Sequence, residues 1–191
     1  MISAKLGHFL DRPLRSFALR LRLNPTYVTV AGFLITTLAA LVIPSSIRTG
    51  GVLIILGGFF DALDGVVART NGTASKSGAF LDSVLDRFSD AFLFLGVGAY
   101  FLRAGNEVYT FLCFFALISS FGVSYARARA EGLGYECTVG IMERAERIAV
   151  LALGCLIPVI LWLCIWIILI GSTVTVLQRI WFVWKTIGKT G

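Results

Sequence analysis

One histidine, His8, four cysteines without paired spacing and only 15% charged residues leave this 191-residue chain short of several kinds of chemistry. Cysteine–histidine zinc sites and Ser-His-Asp triads fail for want of parts, and no glycine-rich phosphate loop is present. Three of Cys113, Cys137, Cys155 and Cys164 sit in apolar runs, so the four read as small apolar residues and not as a disulfide framework. No internal repeat or low-complexity segment is visible. The scarcity of charge is matched by 57% hydrophobic residues and a mean hydropathy of +0.85. That balance describes an integral membrane protein of one domain, residues 1–191, with an all-α fold.

Spanning length requires about 20 apolar residues at 1.5 Å each. Segments at 27–47, 51–69, 78–102 and 109–126 meet it. The stretch 148–184 is too long for one crossing, and Gly154 with Pro158 supplies a break, which gives a six-helix transmembrane bundle over 27–187. Residues 1–22 carry Leu6, Phe9, Leu10, Leu14, Phe17 and Leu21 at helical spacing with Arg12, Arg15 and Arg20 between them. They predict an amphipathic helix lying on the membrane surface, without the apolar run of a signal peptide. Of the lysines and arginines, all but Arg48 and Arg103 fall at the end that carries both termini, which is the cytoplasmic end by the positive-inside rule. The chain is therefore expected in the plasma membrane, crossing it several times. The net charge of +6 is patchy, which points to anionic lipid or a phosphorylated substrate and away from nucleic acid. On the same side, Asn71-Gly72-Thr73 reads as a turn and not as a glycosylation acceptor.

Five aspartates crowd into Phe59–Asp90. Carboxylates in apolar surroundings are costly unless paired or holding a metal. Asp61 and Asp64 stand i,i+3 and Asp82 and Asp86 i,i+4, so each pair shares a helix face. The short connection 70–77 makes the two helices expected antiparallel neighbours. Counted from that connection, Asp64 and Asp82 lie about 6–8 Å deep and Asp61 and Asp86 about 12 Å deep, so four carboxylates can converge on one pocket. An oxygen-only set selects Mg²⁺ or Mn²⁺ over zinc, and two such ions suit phosphoryl transfer. Gly65, Ala68 and Gly78 are small and admit a substrate close to the backbone, and Arg69 can pair with a phosphate. Asp90, one turn beyond Asp86, reads as an ion-pair partner of Arg87 or another basic residue, or as a support to the ligands, and not as a ligand itself.

The stretch Asp61-x2-Asp64-Gly65-x2-Ala68-Arg69-x8-Gly78-x3-Asp82-x3-Asp86 resembles the signature of the CDP-alcohol phosphotransferases at every specified position. The resemblance implies a six-helix membrane enzyme, usually a homodimer, that moves a phosphoryl-lipid from a CDP-linked lipid onto an alcohol and releases CMP. It implies that Asp61, Asp64 and Asp82 bind metal, and that Asp86 joins them and serves as general base. It places the CDP group against Gly65, Ala68, Arg69 and Gly78. Asn24-Pro25-Thr26-Tyr27-Val28-Thr29 resembles the family's entry to its first span, where Thr29 would meet the nucleotide; a simple helix cap is the other reading.

The acceptor is read from residues outside the signature. Arginines at the ends of the fourth, fifth and sixth spans suit a phosphomonoester, because guanidinium binds phosphate oxygens bidentately. These stretches resemble prokaryotic phosphatidylinositol-phosphate and archaetidylinositol-phosphate synthases, where the position of Arg127 is commonly Lys. The resemblance assigns Arg127, Arg129, Arg144 and Arg179 to the phosphate of inositol 1-phosphate, and leaves Arg147 to pair with Glu143. Glycerol 3-phosphate is the rival acceptor, and the donor is CDP-diacylglycerol or an archaeal ether analogue. An ion-coupled transporter would also carry intramembrane acids, but inverted repeats and broken helices are not evident. In a scaffold protein the acids would serve assembly alone.

Overall fold

In the computed structural model, residues 24–70 and 75–188 are described, and within them the fold is all-helical. The expected surface helix at 1–22 and the turn at 71–73 lie outside these residues. Six α-helices follow in order: α1 Pro25–Val42, α2 Ile47–Thr70, α3 Lys76–Arg103, α4 Glu107–Gly132, α5 Arg144–Leu156 and α6 Leu161–Ile187. A single 3-10 turn, Pro158–Ile160, separates α5 from α6.

Local chemistry sets the helix starts. Pro25 occupies the first position of α1, and the Asn24 side chain caps the helix by accepting from the Thr26 N–H at 3.0 Å. Ser75 caps α3 by accepting from the Gly78 N–H at 3.1 Å. The tight turn from α3 to α4 needs Gly105, whose φ of 72° lies in the left-handed region. Pro158 ends the helical run before α6. Gly154, expected to share in that break, sits inside α5 instead. A Cβ there would come within 2.9 Å of Leu161 Cδ1 and 3.0 Å of Cys164 Cβ, so the glycine serves close packing of α5 on α6.

Packing closes the six helices into a ring: α1 packs on α2, α2 on α5, α5 on α6, α6 on α4, α4 on α3, and α3 on α1. The chain neighbours α2 and α3 were expected side by side, but they do not pack along their length. Glycines explain the difference by letting α1 nestle against both. A Cβ on Gly32 would come within 3.0 Å of Asp61 Oδ1 and 3.1 Å of Phe60 Cβ, and one on Gly96 would strike the backbone of Ala40. Asp61 is thereby seated against α1 at Gly32.

Inside the ring, all six helices contribute to one apolar core, with Ala39, Ile54, Val97, Ala116, Leu151 and Ile165 among its fully buried members. The four cysteines are free and buried. At the other end the interior turns polar: Asp64, Asp90, Arg147 and Arg179 are all buried. Outward faces carry Leu41, Phe80, Phe115, Ile118 and Trp184 exposed, as a bundle in lipid does. Among the described residues, four segments are long and apolar enough to cross a membrane: Pro25–Val42, Ile47–Thr70, Glu107–Gly132 and Pro158–Ile187. Six had been expected. The 28-residue α3 has the length but carries Asp82, Asp86, Arg87 and Asp90, and α5 has only 13 residues, about 20 Å.

Candidate active site

The polar end of the ring holds two cavities that share a wall. The first, about 340 Å³, lies between the start of α1, the end of α2 and the start of α3. Thr29, Asp64, Gly65, Ala68, Arg69, Gly78 and Asp82 all line it, so the small residues and the arginine of the signature surround one space with two of its acids. Thr29 donates its hydroxyl to the Pro25 carbonyl at 3.1 Å, within the first turn of α1. A Cβ at Gly65 would approach Arg69 Nη1 to 3.3 Å, so the missing side chain leaves room for the guanidinium beside the helix. Asp64 is 7% exposed, and its Oδ2 has no hydrogen-bond partner among the described residues.

The second cavity, about 550 Å³, is lined by Asp82, Ser83, Arg87, Arg127, Arg144, Arg147 and Arg179, with Glu131 and Glu143. Asp82 alone of the four signature aspartates lines both cavities. The arginines arrive from α3, α4, α5 and α6, and the connection 133–143 sets their positions. Thr175 Oγ1 accepts from the Ile141 and Met142 N–H groups at 3.2 and 3.0 Å. Arg179, 2% exposed, donates from Nε to the Val139 carbonyl at 2.9 Å and from Nη1 to the Val123 carbonyl at 2.6 Å, and its Nη2 stands 3.5 Å from Glu143. The connection so pinned delivers Arg144, the first residue of α5, to the acids.

Arg144 binds the deeper pair. Its Nη1 lies 2.8 Å from Asp61 Oδ2 and 2.9 Å from Asp86 Oδ1, and its Nε lies 3.3 Å from Asp90 Oδ1. One guanidinium thus bridges α2 and α3 where the two helices do not pack. Asp90 and Arg147, both 1% exposed, form a buried pair at 2.9 Å, and Arg147 also donates to the Met142 carbonyl at 3.3 Å. Removing either partner would strand a buried charge, so the pair holds the start of α5 against α3. The donor chemistry suits a hard divalent cation, because the acids offer oxygen only and the buried Asp64 Oδ2, in a cavity shared with Asp82, has no partner among the described residues. Among the described residues no three acidic, histidine or cysteine side chains yet surround one point as an ion would require. Arg144 supplies positive charge between Asp61 and Asp86.

Three expectations need correction or extension. Arg129, assigned with Arg127 to a phosphate, is exposed on α4 and does not line the cavity, since residues two apart on a helix point to different faces. Arg147 does not pair with Glu143, because Arg179 takes Glu143 and Asp90 takes Arg147. Arg127 does line the cavity, but its Nε is held by Glu131 at 2.8 Å, one turn on. Sequence reasoning missed Gly32, which seats α1 against Asp61; Arg87, expected as a partner of Asp90, lies 3.6 Å from Asp86 and lines the second cavity, while Asp90 takes Arg144 and Arg147. The position of Asp90 one turn after Asp86, matched by Arg144 and Arg147 one turn apart, was the available signal for the buried network.

Comparison with known proteins agrees with this geometry. The family model described as CDP-alcohol phosphatidyltransferase matches residues 22–185. The archaetidylinositol phosphate synthase of Methanothermobacter thermautotrophicus is 40% identical over 172 residues, covering 87% of this chain and 86% of its own. The phosphatidylinositol phosphate synthase of Cutibacterium acnes is 43% identical over 141 residues, covering 72% and 68%. Among solved structures, the phosphatidylinositol phosphate synthase of Mycobacterium tuberculosis with CDP-DAG bound superposes with a TM-score of 0.81 at 29% identity, over 91% of this chain and 93% of that one. A second structure of that enzyme, in complex with manganese and citrate, also gives 0.81. With the signature residues gathered at one end of a membrane helix ring and the family model spanning nearly its whole length, this chain belongs to the CDP-alcohol phosphatidyltransferase family.

Proposed function

We propose that this single-domain membrane enzyme transfers a phosphatidyl-type group from a CDP-linked lipid to inositol 1-phosphate, releasing CMP and forming a phosphatidylinositol phosphate. The observation that carries this reading is Asp82 standing in the wall between a cavity lined by the nucleotide signature and a cavity lined by guanidiniums. Relatives named as archaetidylinositol phosphate and phosphatidylinositol phosphate synthases are 40–43% identical over the aligned residues, which supports inositol 1-phosphate as the acceptor.

In this reading Gly65, Ala68, Gly78 and Thr29 border the CDP group, and Arg69 meets its diphosphate. Asp61, Asp64, Asp82 and Asp86 hold Mg²⁺ or Mn²⁺, in two sites, and the bound cations neutralise the diphosphate and ease departure of CMP. Asp86 accepts the proton from the acceptor hydroxyl as that oxygen attacks the lipid-side phosphorus and the bond to CMP breaks. Arg127, Arg144 and Arg179 face the acceptor phosphate, joined by Arg147 in place of Arg129. Arg179 acts there with two of its five N–H donors committed to backbone carbonyls, so it shapes the pocket as well as charging it. Six crossings, an N-terminal surface helix, termini and active site on the cytoplasmic face, and a homodimer complete the proposal.

The test is CMP release from CDP-diacylglycerol with Mg²⁺, run in parallel with inositol 1-phosphate, glycerol 3-phosphate, inositol and serine, and repeated with an ether-linked donor. Turnover with inositol 1-phosphate and none after chelation with EDTA is expected. Turnover with glycerol 3-phosphate alone would reassign the acceptor, and no CMP with any acceptor would remove the enzyme reading.

A further inference from the structure

Arg144 belongs to two groups of residues at once. It lines the cavity of guanidiniums, and its Nη1 touches both Asp61 and Asp86. Those carboxylates are two of the four that the proposed function assigns to metal, and the inference rests on that reading. A guanidinium lodged between two acids screens their mutual repulsion, but its Nη1 occupies one oxygen of each and brings positive charge to the place where a cation would sit. A divalent ion and this guanidinium therefore compete for the same pair. Asp90 offers Arg144 a second anchor at 3.3 Å, so the side chain need not leave the cavity when its Nη1 is released.

From this we infer that Arg144 is a counter-charge that exchanges with the metal: cation binding at Asp61 and Asp86 frees its Nη1 toward the second cavity, where it takes up the acceptor phosphate. Metal and acceptor then favour each other's binding, because each draws Arg144 out of, or holds it away from, the carboxylates. Coupling of this kind is reciprocal and commonly reaches about 5–150-fold. A lysine at this position would retain one charge but could not span two carboxylates and a third with a planar fork.

Binding of Mn²⁺ to the purified full-length protein, without donor lipid, reads the exchange directly through the electron-spin-resonance signal of the free ion. In the unaltered protein, saturating inositol 1-phosphate is expected to tighten Mn²⁺ binding about tenfold while inositol leaves it unchanged. Arg144→Ala is expected to bind Mn²⁺ about tenfold more tightly than the parent and to lose the effect of inositol 1-phosphate, with Arg144→Lys between the two. Equal or weaker Mn²⁺ binding in Arg144→Ala would overturn the exchange. Should that variant not fold, an Mn²⁺ affinity of the parent indifferent to inositol 1-phosphate would do so equally. Failure of the underlying reading looks different: the parent would bind no Mn²⁺, or Asp61→Asn would bind it as well as the parent.

Discussion

Asp86 carries the sharpest consequence at the scale of single residues. It touches Arg144 at 2.9 Å and Arg87 at 3.6 Å, so its carboxylate is anchored as well as charged. Asp86→Asn keeps the volume and a hydrogen-bonding oxygen but removes the proposed proton acceptor. Turnover should fall about 10²–10⁴-fold, the usual worth of a general base, with the helical circular dichroism spectrum retained. Substantial residual CMP release in a single-turnover assay would take that role from Asp86. The spacing of the four aspartates was legible in the sequence, because helical periodicity alone puts i,i+3 and i,i+4 residues on one face. What Arg144 does among them was not legible. It is separated from Asp61 by 83 residues, and only the pinned connection 133–143 brings it there.

At the scale of helices, small residues decide the arrangement. Gly96 lets α3 approach α1 so closely that a Cβ would meet the Ala40 backbone, whereas a Cβ at Gly58 of α2 would meet nothing within 4 Å. Gly96→Leu should therefore push α1 from α3, at a cost of about 1–3 kcal/mol from overpacking, and reduce the fraction of protein eluting as a single species from detergent. Gly58→Ala should leave elution unchanged, and equal behaviour of the two would dismiss the packing account. The break at Pro158 and the cap at Asn24 could be read from the sequence because each is a local backbone effect. The order of helices around the ring could not, since it depends on which glycines face which neighbour.

For the whole molecule the open question is orientation. The described lysines and arginines are gathered at the end that holds the aspartates, with Arg48 and Arg103 at the other. Because the native cysteines are all buried, introduced thiols can report on each face with little background. Ser75→Cys should react with a membrane-impermeant maleimide only in inverted vesicles, and Asn106→Cys only in intact cells; the opposite pattern would turn the protein over.

The two cavities that meet at Asp82 also govern how the proposed reactants meet. In the proposed reaction a lipid-linked donor stays within the plane of the bilayer while a water-soluble acceptor reaches the polar end of the bundle. The donor is then never lifted out of its leaflet. Velocity should follow the mole fraction of CDP-lipid in mixed micelles and fall on dilution with inert detergent at constant bulk amount, so the membrane itself sets the concentration the enzyme experiences.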